Sequence, residues 1–313
     1  MSASLVPSGS ARRHRRGLGD LVFASTTRVA GLLILVALAG VAIFLTLEGM
    51  PGLDAPASDL HGAENFVAYV WPLLYGTLLA AALALIIAVP FSIGTALVIS
   101  HYAPRPLARG LGYVVDLLAA VPSVVYGLWG IGFLGLRLVP VYEWLDAHMG
   151  WLPFFAGPPS TTGRTILTAG IVLAIMVVPI ITAISREVFM QTPVLDQEAA
   201  LALGATRWEM IRMSVFPYSR SGVVSAVMLG LGRALGETMA VAMVLSASGV
   251  ITLNLISSTN PSTIAANIAL SFPDSTGLEV NALIATGLVL FVITFAVNFA
   301  ARAIIGRSER RLR

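Results

Sequence analysis

Six long runs of apolar residues, separated by short polar stretches, constrain this chain more than anything else in it. They extend approximately over Val29–Leu47, Leu73–Ile99, Leu111–Leu138, Ile166–Ile184, Val223–Leu245 and Ala282–Ile305. An α-helix needs about 20 predominantly apolar residues to cross the hydrocarbon core of a bilayer, and the runs meet that length to within a few residues. A transmembrane β-barrel would instead alternate apolar and polar positions over about ten residues, and these runs do not alternate. With 57% hydrophobic and only 11% charged residues, against about a quarter charged in soluble domains, the sequence predicts an all-α polytopic membrane protein with six transmembrane helices.

The charges set an orientation. All 19 Lys+Arg residues are arginine and none is lysine. With the N-terminus inside, every arginine except Arg137, Arg164 and Arg233 falls in a cytoplasmic tail or loop, so the positive-inside rule puts both termini in the cytoplasm of a multi-pass protein. Spread this way, the arginines read as topology signals rather than as a nucleic-acid-binding patch. Residues 1–28 read as an arginine-rich cytoplasmic tail, 29–305 as one six-helix domain, and 306–313 as a second cytoplasmic tail. The first apolar run exceeds the roughly 7–15 residues of a signal-peptide core and is expected to be an uncleaved anchor.

Composition also excludes several chemistries. With no cysteine there is no disulfide, thiolate metal site or cysteine nucleophile. His14, His61, His101 and His148 stand at no ligand spacing, so no metal site is expected, and no Ser/His/Asp arrangement suggests an enzyme. A P-loop requires a lysine to reach the phosphates, which this chain lacks, so any ATP-derived energy comes from another chain.

Along the chain, Pro122, Gly127, Gly130, Gly132 and Gly135 give the third run a broken character. The stretch from about Pro140 to Gly163 reads as an external loop whose Trp144, Trp151, Phe154 and Phe155 suit a membrane-interface belt. Ser262–Phe272 reads as a short helix in a second external segment. The longest cytoplasmic connection, 186–220, holds Glu198-Ala199-Ala200, then Gly204, then Pro217. That order predicts a short helix, a flexible break and a second short helix. Its thin alanine surface with a charged rim suits either a coupling element pressed by a partner or an ordinary amphipathic surface helix.

The fifth run contains Arg233, close to the bilayer midplane, and Glu237 at i+4 on the same helical face. An unpaired charge at that depth costs at least about 2.5–3.5 kcal/mol, so both are expected to face the bundle interior or water. Two readings stay open: an ion pair that locks the fifth helix to its neighbours, or a guanidinium whose rigid fork of donors binds a tetrahedral oxyanion while the carboxylate holds it in the empty state. Gly232 and Gly236 beside them allow close helix packing.

The loop signature resembles the EAA motif of permease subunits in bacterial ABC importers. It matches at Glu198, Ala199, Ala200, Gly204 and Pro217 and departs at Ser214 and Phe216. From about Leu21 onward the chain is similar to the PstC permease family of phosphate ABC importers. The runs that carry this likeness are Ala119-Ala120-Val121-Pro122-Ser123-Val124-Val125-Tyr126-Gly127-Leu128-Trp129-Gly130 and Gly232-Arg233-Ala234-Leu235-Gly236-Glu237-Thr238-Met239-Ala240. The resemblance implies the type I ABC importer permease architecture in a bacterial inner membrane. It also implies a heterodimer with the sister permease PstA, two PstB ATPase subunits that hold ATP and Mg, and an external phosphate-binding protein. It associates Arg233 and Glu237 with phosphate passage, and Ser123 and Tyr126 fall in the matched third-helix run. The sister permease itself, a permease for another oxyanion such as sulfate, and a self-sufficient anion channel or secondary transporter are the alternatives; the Glu198 loop argues against the last.

Overall fold

The computed structural model describes residues 18–310; the arginine-rich stretch up to residue 17 and residues 311–313 lie outside the described residues. The chain forms α1 (Leu18–Gly49), α2 (Phe66–Leu97), α3 (Arg105–Ala119), α4 (Ser123–Trp129), α5 (Gly135–Met149), α6 (Ile166–Met190), α7 (Val194–Ala202), α8 (Arg207–Met210), α9 (Phe216–Leu235), α10 (Met239–Val244), α11 (Ile264–Ser271) and α12 (Leu278–Arg310). Extended pairing among the described residues is limited to one isolated bridge between Ala247 and Asn260.

Five continuous segments are long and apolar enough to cross a membrane: Val22–Asp54, Phe66–Tyr102, Ser123–Met149, Ile166–Met190 and Leu278–Ala303. Three of the sequence expectations shift. Helix α1 begins at Leu18, inside the expected tail, because the hydroxyls of Ser25, Thr26 and Thr27 donate to carbonyls one turn back and so do not interrupt the helix. At the other end α12 runs on to Arg310, through most of the expected second tail.

The third run divides. Its first half is α3, an amphipathic helix that ends at Ala119, and the membrane-length segment starts only at Ser123. Pro122 causes the break, since proline disfavours helical geometry in the residue before it and supplies no N–H. The segment then extends through α5 to Met149, into the stretch expected to be an external loop.

The core is built around α6. In the most apolar part of that helix 67% of residues are buried. Helix α2 packs along it through Ala80, Ala81, Ala84 and Ala88, none more than 1% exposed. On the other side α9 brings Gly230 against Val177 and Ile181. Lipid tails are as apolar as leucine, so membrane helices gain little from burying large side chains and associate where small residues let backbones meet. Helix α1, by contrast, touches the bundle along α12 and leaves most of its length exposed.

At the face opposite the Glu198 loop, the segment after α10 is tied down by side-chain amides. Asn254 accepts from the N–H groups of Ile256 and Ser257 and donates to the Ala156 carbonyl at 2.7 Å. The Ser257 carbonyl accepts from Asn260 at 2.8 Å. Tyr142, Thr165 and Thr168 form a buried hydroxyl cluster, with Tyr142 and Thr168 2.6 Å apart. The short helix expected near Ser262 is α11, with the Thr263 side chain accepting from the Ala266 N–H. Beside it the Thr77 hydroxyl accepts from the Ile264 N–H at 2.9 Å.

Gly76 lies so close to the Ser262 carbonyl that a Cβ there would overlap it. Gly76→Ala is therefore expected to displace the capping segment and to cost about 1–3 kcal/mol, the usual range for overpacking. Thermal unfolding of the purified protein in detergent, compared with wild type, measures this.

Candidate functional site: an interrupted helix beside a charged cavity

Like the third run, the fifth does not form a continuous helix. Helix α9 ends at Leu235, Gly236 caps it, and α10 restarts at Met239. A broken ladder inside a membrane is tolerated only where the freed backbone groups find partners, and here they do. The Gly236 N–H donates to the Gly232 carbonyl at 3.2 Å, and the Thr238 hydroxyl donates to the Gly236 carbonyl at 3.2 Å. The Ala240 N–H, an orphan at the start of α10, donates to the Glu237 carboxylate at 3.1 Å.

This break separates the two charges. Arg233 stands in the last turn of α9, where the negative end of the helix favours a cation, and Glu237 precedes α10, where free N–H groups favour an anion. Each such placement contributes about 0.3–1 kcal/mol at exposed positions. Glu237 is buried, 8% exposed, whereas Arg233 is exposed. Among the described residues no salt bridge joins them. The expectation of one helical face carrying a mutually neutralising pair is thus corrected: the interruption at Gly236–Thr238 aims the carboxylate at α10 and leaves the guanidinium free of it.

Both residues line a cavity of about 1030 Å³. One face of α9 forms one wall through Ser225, Leu229 and Arg233, and Glu237 joins it from the break that follows. A face of α12 contributes Phe295, Asn298, Phe299 and Arg302, and Ile180 of α6 completes the lining. Asn298 and Arg302 were not singled out by the sequence, where Arg302 reads as an ordinary topology charge. Their spacing with Phe295 and Phe299, at i, i+3, i+4 and i+7, is the signal that places all four on one helical face.

The two sequence runs that carry the family likeness meet in space. Gly127 of α4 fits so tightly against Ala240 and Met243 of α10 that a Cβ would come within 2.9 Å of the Met243 sulfur and 3.0 Å of the Ala240 Cα. Tyr126, on the same short helix, is buried. Its hydroxyl donates to the Leu118 carbonyl at 3.0 Å, satisfying a group released by the α3–α4 break. Ser123 is the first residue of α4 and is partly buried.

The coupling-loop residues form a separate unit at the other end of α9. Helix α7 carries Glu198 and Ala199 exposed, while Ala200 turns inward onto Ala96, Leu97, Phe189, Met210, Ile211 and Val215. Gly204 has φ +86°, a left-handed conformation that lets the chain reverse. The Gly204 N–H donates to the Leu201 carbonyl and the Ala205 N–H to the Ala200 carbonyl, closing the helix end. Thr206 and Glu209 then cap α8 reciprocally. Hydrogen bonds from the Thr206 backbone and hydroxyl hold the Glu209 carboxyl below its usual range. Pro217 follows at the second position of α9, directly after a π-helical turn over Ile211–Val215.

Comparison with known proteins agrees with this geometry. The family described as binding-protein-dependent transport system inner membrane component matches residues 88–313. Among curated relatives, the phosphate transport system permease protein PstC 2 of Mycobacterium tuberculosis is 47% identical over 300 residues, covering 92% of each chain. The phosphate transport system permease protein PstC of Mesorhizobium japonicum is 39% identical over 315 residues, covering 97% of this chain and 95% of that one. Among solved structures, a bacterial alginate ABC transporter in complex with alginate pentasaccharide-bound periplasmic protein shares the fold. Its TM-score is 0.60 at 15% identity, over 92% of this chain and 95% of that one. The chain therefore belongs to the binding-protein-dependent transport system inner membrane components, alongside the PstC permeases.

Proposed function

We propose that this chain is the membrane-spanning permease subunit of an ATP-driven importer of inorganic phosphate. The observation that carries the proposal is the exposed Arg233 guanidinium in a large intramembrane cavity, relieved of its neighbouring carboxylate by the helix break. The named PstC relatives supply the substrate class. A guanidinium gives a tetrahedral oxyanion two parallel charge-assisted hydrogen bonds. The Glu237 carboxylate beside the path can accept a hydrogen bond from a protonated phosphate and disfavours fully deprotonated oxyanions.

The chain works by alternating access together with a sister permease of the PstA kind, fed by an external phosphate-binding protein. Two PstB-type ATPase subunits bind ATP and Mg and close against the Glu198 loop. Both termini and that loop lie on the cytoplasmic side of the inner membrane, in keeping with the arginine distribution. The push travels through a compact apolar cluster. Ala200, Met210, Ile211 and Val215 pack with Phe189 at the end of α6, and Phe216 at the start of α9 meets Phe189 and Trp208 edge-on. Movement of α7 therefore tilts α9, whose far end carries Arg233.

Replacing Arg233 with glutamine removes bonds worth about 1.5–3 kcal/mol, which corresponds to about a 10- to 100-fold loss of phosphate uptake. Assembly with the ATPase should persist. Labelled-phosphate uptake by the reconstituted complex measures this, and unchanged uptake would refute the role. Competition by sulfate in the same assay separates a phosphate permease from one for another oxyanion.

At Gly204 an alanine must adopt the left-handed conformation at about 1–2 kcal/mol. Gly204→Ala is expected to loosen the turn between α7 and α8 and to lower phosphate-stimulated ATP hydrolysis by the assembled complex. Faster hydrogen exchange at Ala205–Met210 would accompany it.

A further inference from the structure

Besides Arg233, a second guanidinium faces the same cavity. Arg302 projects from the face of α12 that also presents Phe295, Asn298 and Phe299, and it is exposed. Among the described residues neither arginine has a hydrogen-bond or ion-pair partner. Glu237 is the one carboxylate in the lining, and one of its oxygens is held by the Ala240 N–H. The lining thus carries an excess of positive charge, which an anion can neutralise.

The two cations stand toward opposite ends of the stretches that line the cavity. Helices α9 and α12 are consecutive spans joined at the face away from the Glu198 loop, so they run antiparallel. Ser225 precedes Arg233 by eight residues, about 12 Å of helical rise toward the loop. Arg302 follows Phe295 by seven residues, about 10 Å in the same direction. Asn298 lies one turn above Arg302 and adds a neutral side-chain amide to the same wall. The Ser225 hydroxyl, also in the lining, donates back to the Ser221 carbonyl.

We propose that Arg302, with Asn298, forms a second oxyanion site on the loop side of Arg233, which receives the ion when Arg233 releases it. The inference rests on the phosphate-importer reading above and deepens it. A single strong site would hold its ion; two weaker sites in succession let binding favour entry without preventing exit. Both side chains are permanently charged guanidiniums, so the transfer needs no change of protonation in either.

The test uses the assembled importer in proteoliposomes, with inorganic phosphate as the probe and co-purified ATPase as the measure of assembly. Arg302→Gln should lower the maximal uptake rate about tenfold, the loss of one charge-assisted hydrogen bond. The half-saturating external phosphate should change less than about twofold, because the outer encounter is untouched. Arg302→Lys should restore most of the rate. Since this chain has no cysteine, Asn298→Cys gives it a single reactive thiol. Saturating phosphate should slow labelling of that thiol by a charged reagent at least about threefold, and the protection should vanish when Arg302→Gln is added.

A wild-type maximal rate in Arg302→Gln, or phosphate protection that persists without Arg302, overturns the second site. Should Arg302→Gln fail to assemble, Asn298→Asp decides: a carboxylate beside the guanidinium should depress the rate, and a wild-type rate there also overturns the site. Arg233→Gln in the same preparation separates the two readings. Normal uptake by Arg233→Gln overturns the importer reading itself, whereas loss there with normal uptake by Arg302→Gln overturns only the second site.

Discussion

The hydrogen bond from the Ala240 N–H to the Glu237 carboxylate sets the state of the site. An isolated arginine within a membrane would be drawn to the nearest carboxylate, and a continuous helix would place Glu237 one turn above Arg233 in reach of it. By ending α9 at Leu235 and starting α10 at Met239, the fold gives the carboxylate another partner. Gly236 makes the interruption inexpensive, and the Thr238 hydroxyl covers one of the carbonyls it frees. Two charges that would have cancelled become one capped helix start and one guanidinium facing a cavity.

The same interruption explains why the matched sequence runs lie where they do. Helices α4 and α10 are both short fragments of runs that composition alone would make continuous. Each ends or begins at a break, and Gly127 allows the two to approach closely. Tyr126 closes the break in its own run. The start of the Ser123–Met149 segment and α10 therefore meet beside α6, while α1 leaves most of its length exposed. Movement delivered to the start of α9 reaches a point where the backbone ladder is already open, so that helix can change its angle to α10 with few bonds to exchange.

Hydropathy made most of the spans legible. Helices α2, α6 and α12 follow their apolar runs, and the alanine stripe on α2 faces the helix it packs against. Two features escaped it for the same reason: apolar composition carries no information on backbone continuity. The run from Leu111 looked like one span because α3 is apolar on one face, although Pro122 marked its end. The stretch from about Pro140, with aromatics suited to a membrane interface, read as a loop where α5 in fact continues. At the site, Arg233 and Glu237 were legible as intramembrane charges, but their separation was not, since i+4 spacing implies contact only if the helix is intact. Arg302 was hidden by its position near a span end, where an arginine ordinarily reports topology.

At the tip of the Glu198 loop Leu203 is 91% exposed, with Leu195 at 77% close by. Burying a leucine fully is worth about 1.5–3 kcal/mol, so this tip is tolerable in water but far better covered. A copy made in excess of its covering subunits keeps a greasy flag raised at its surface.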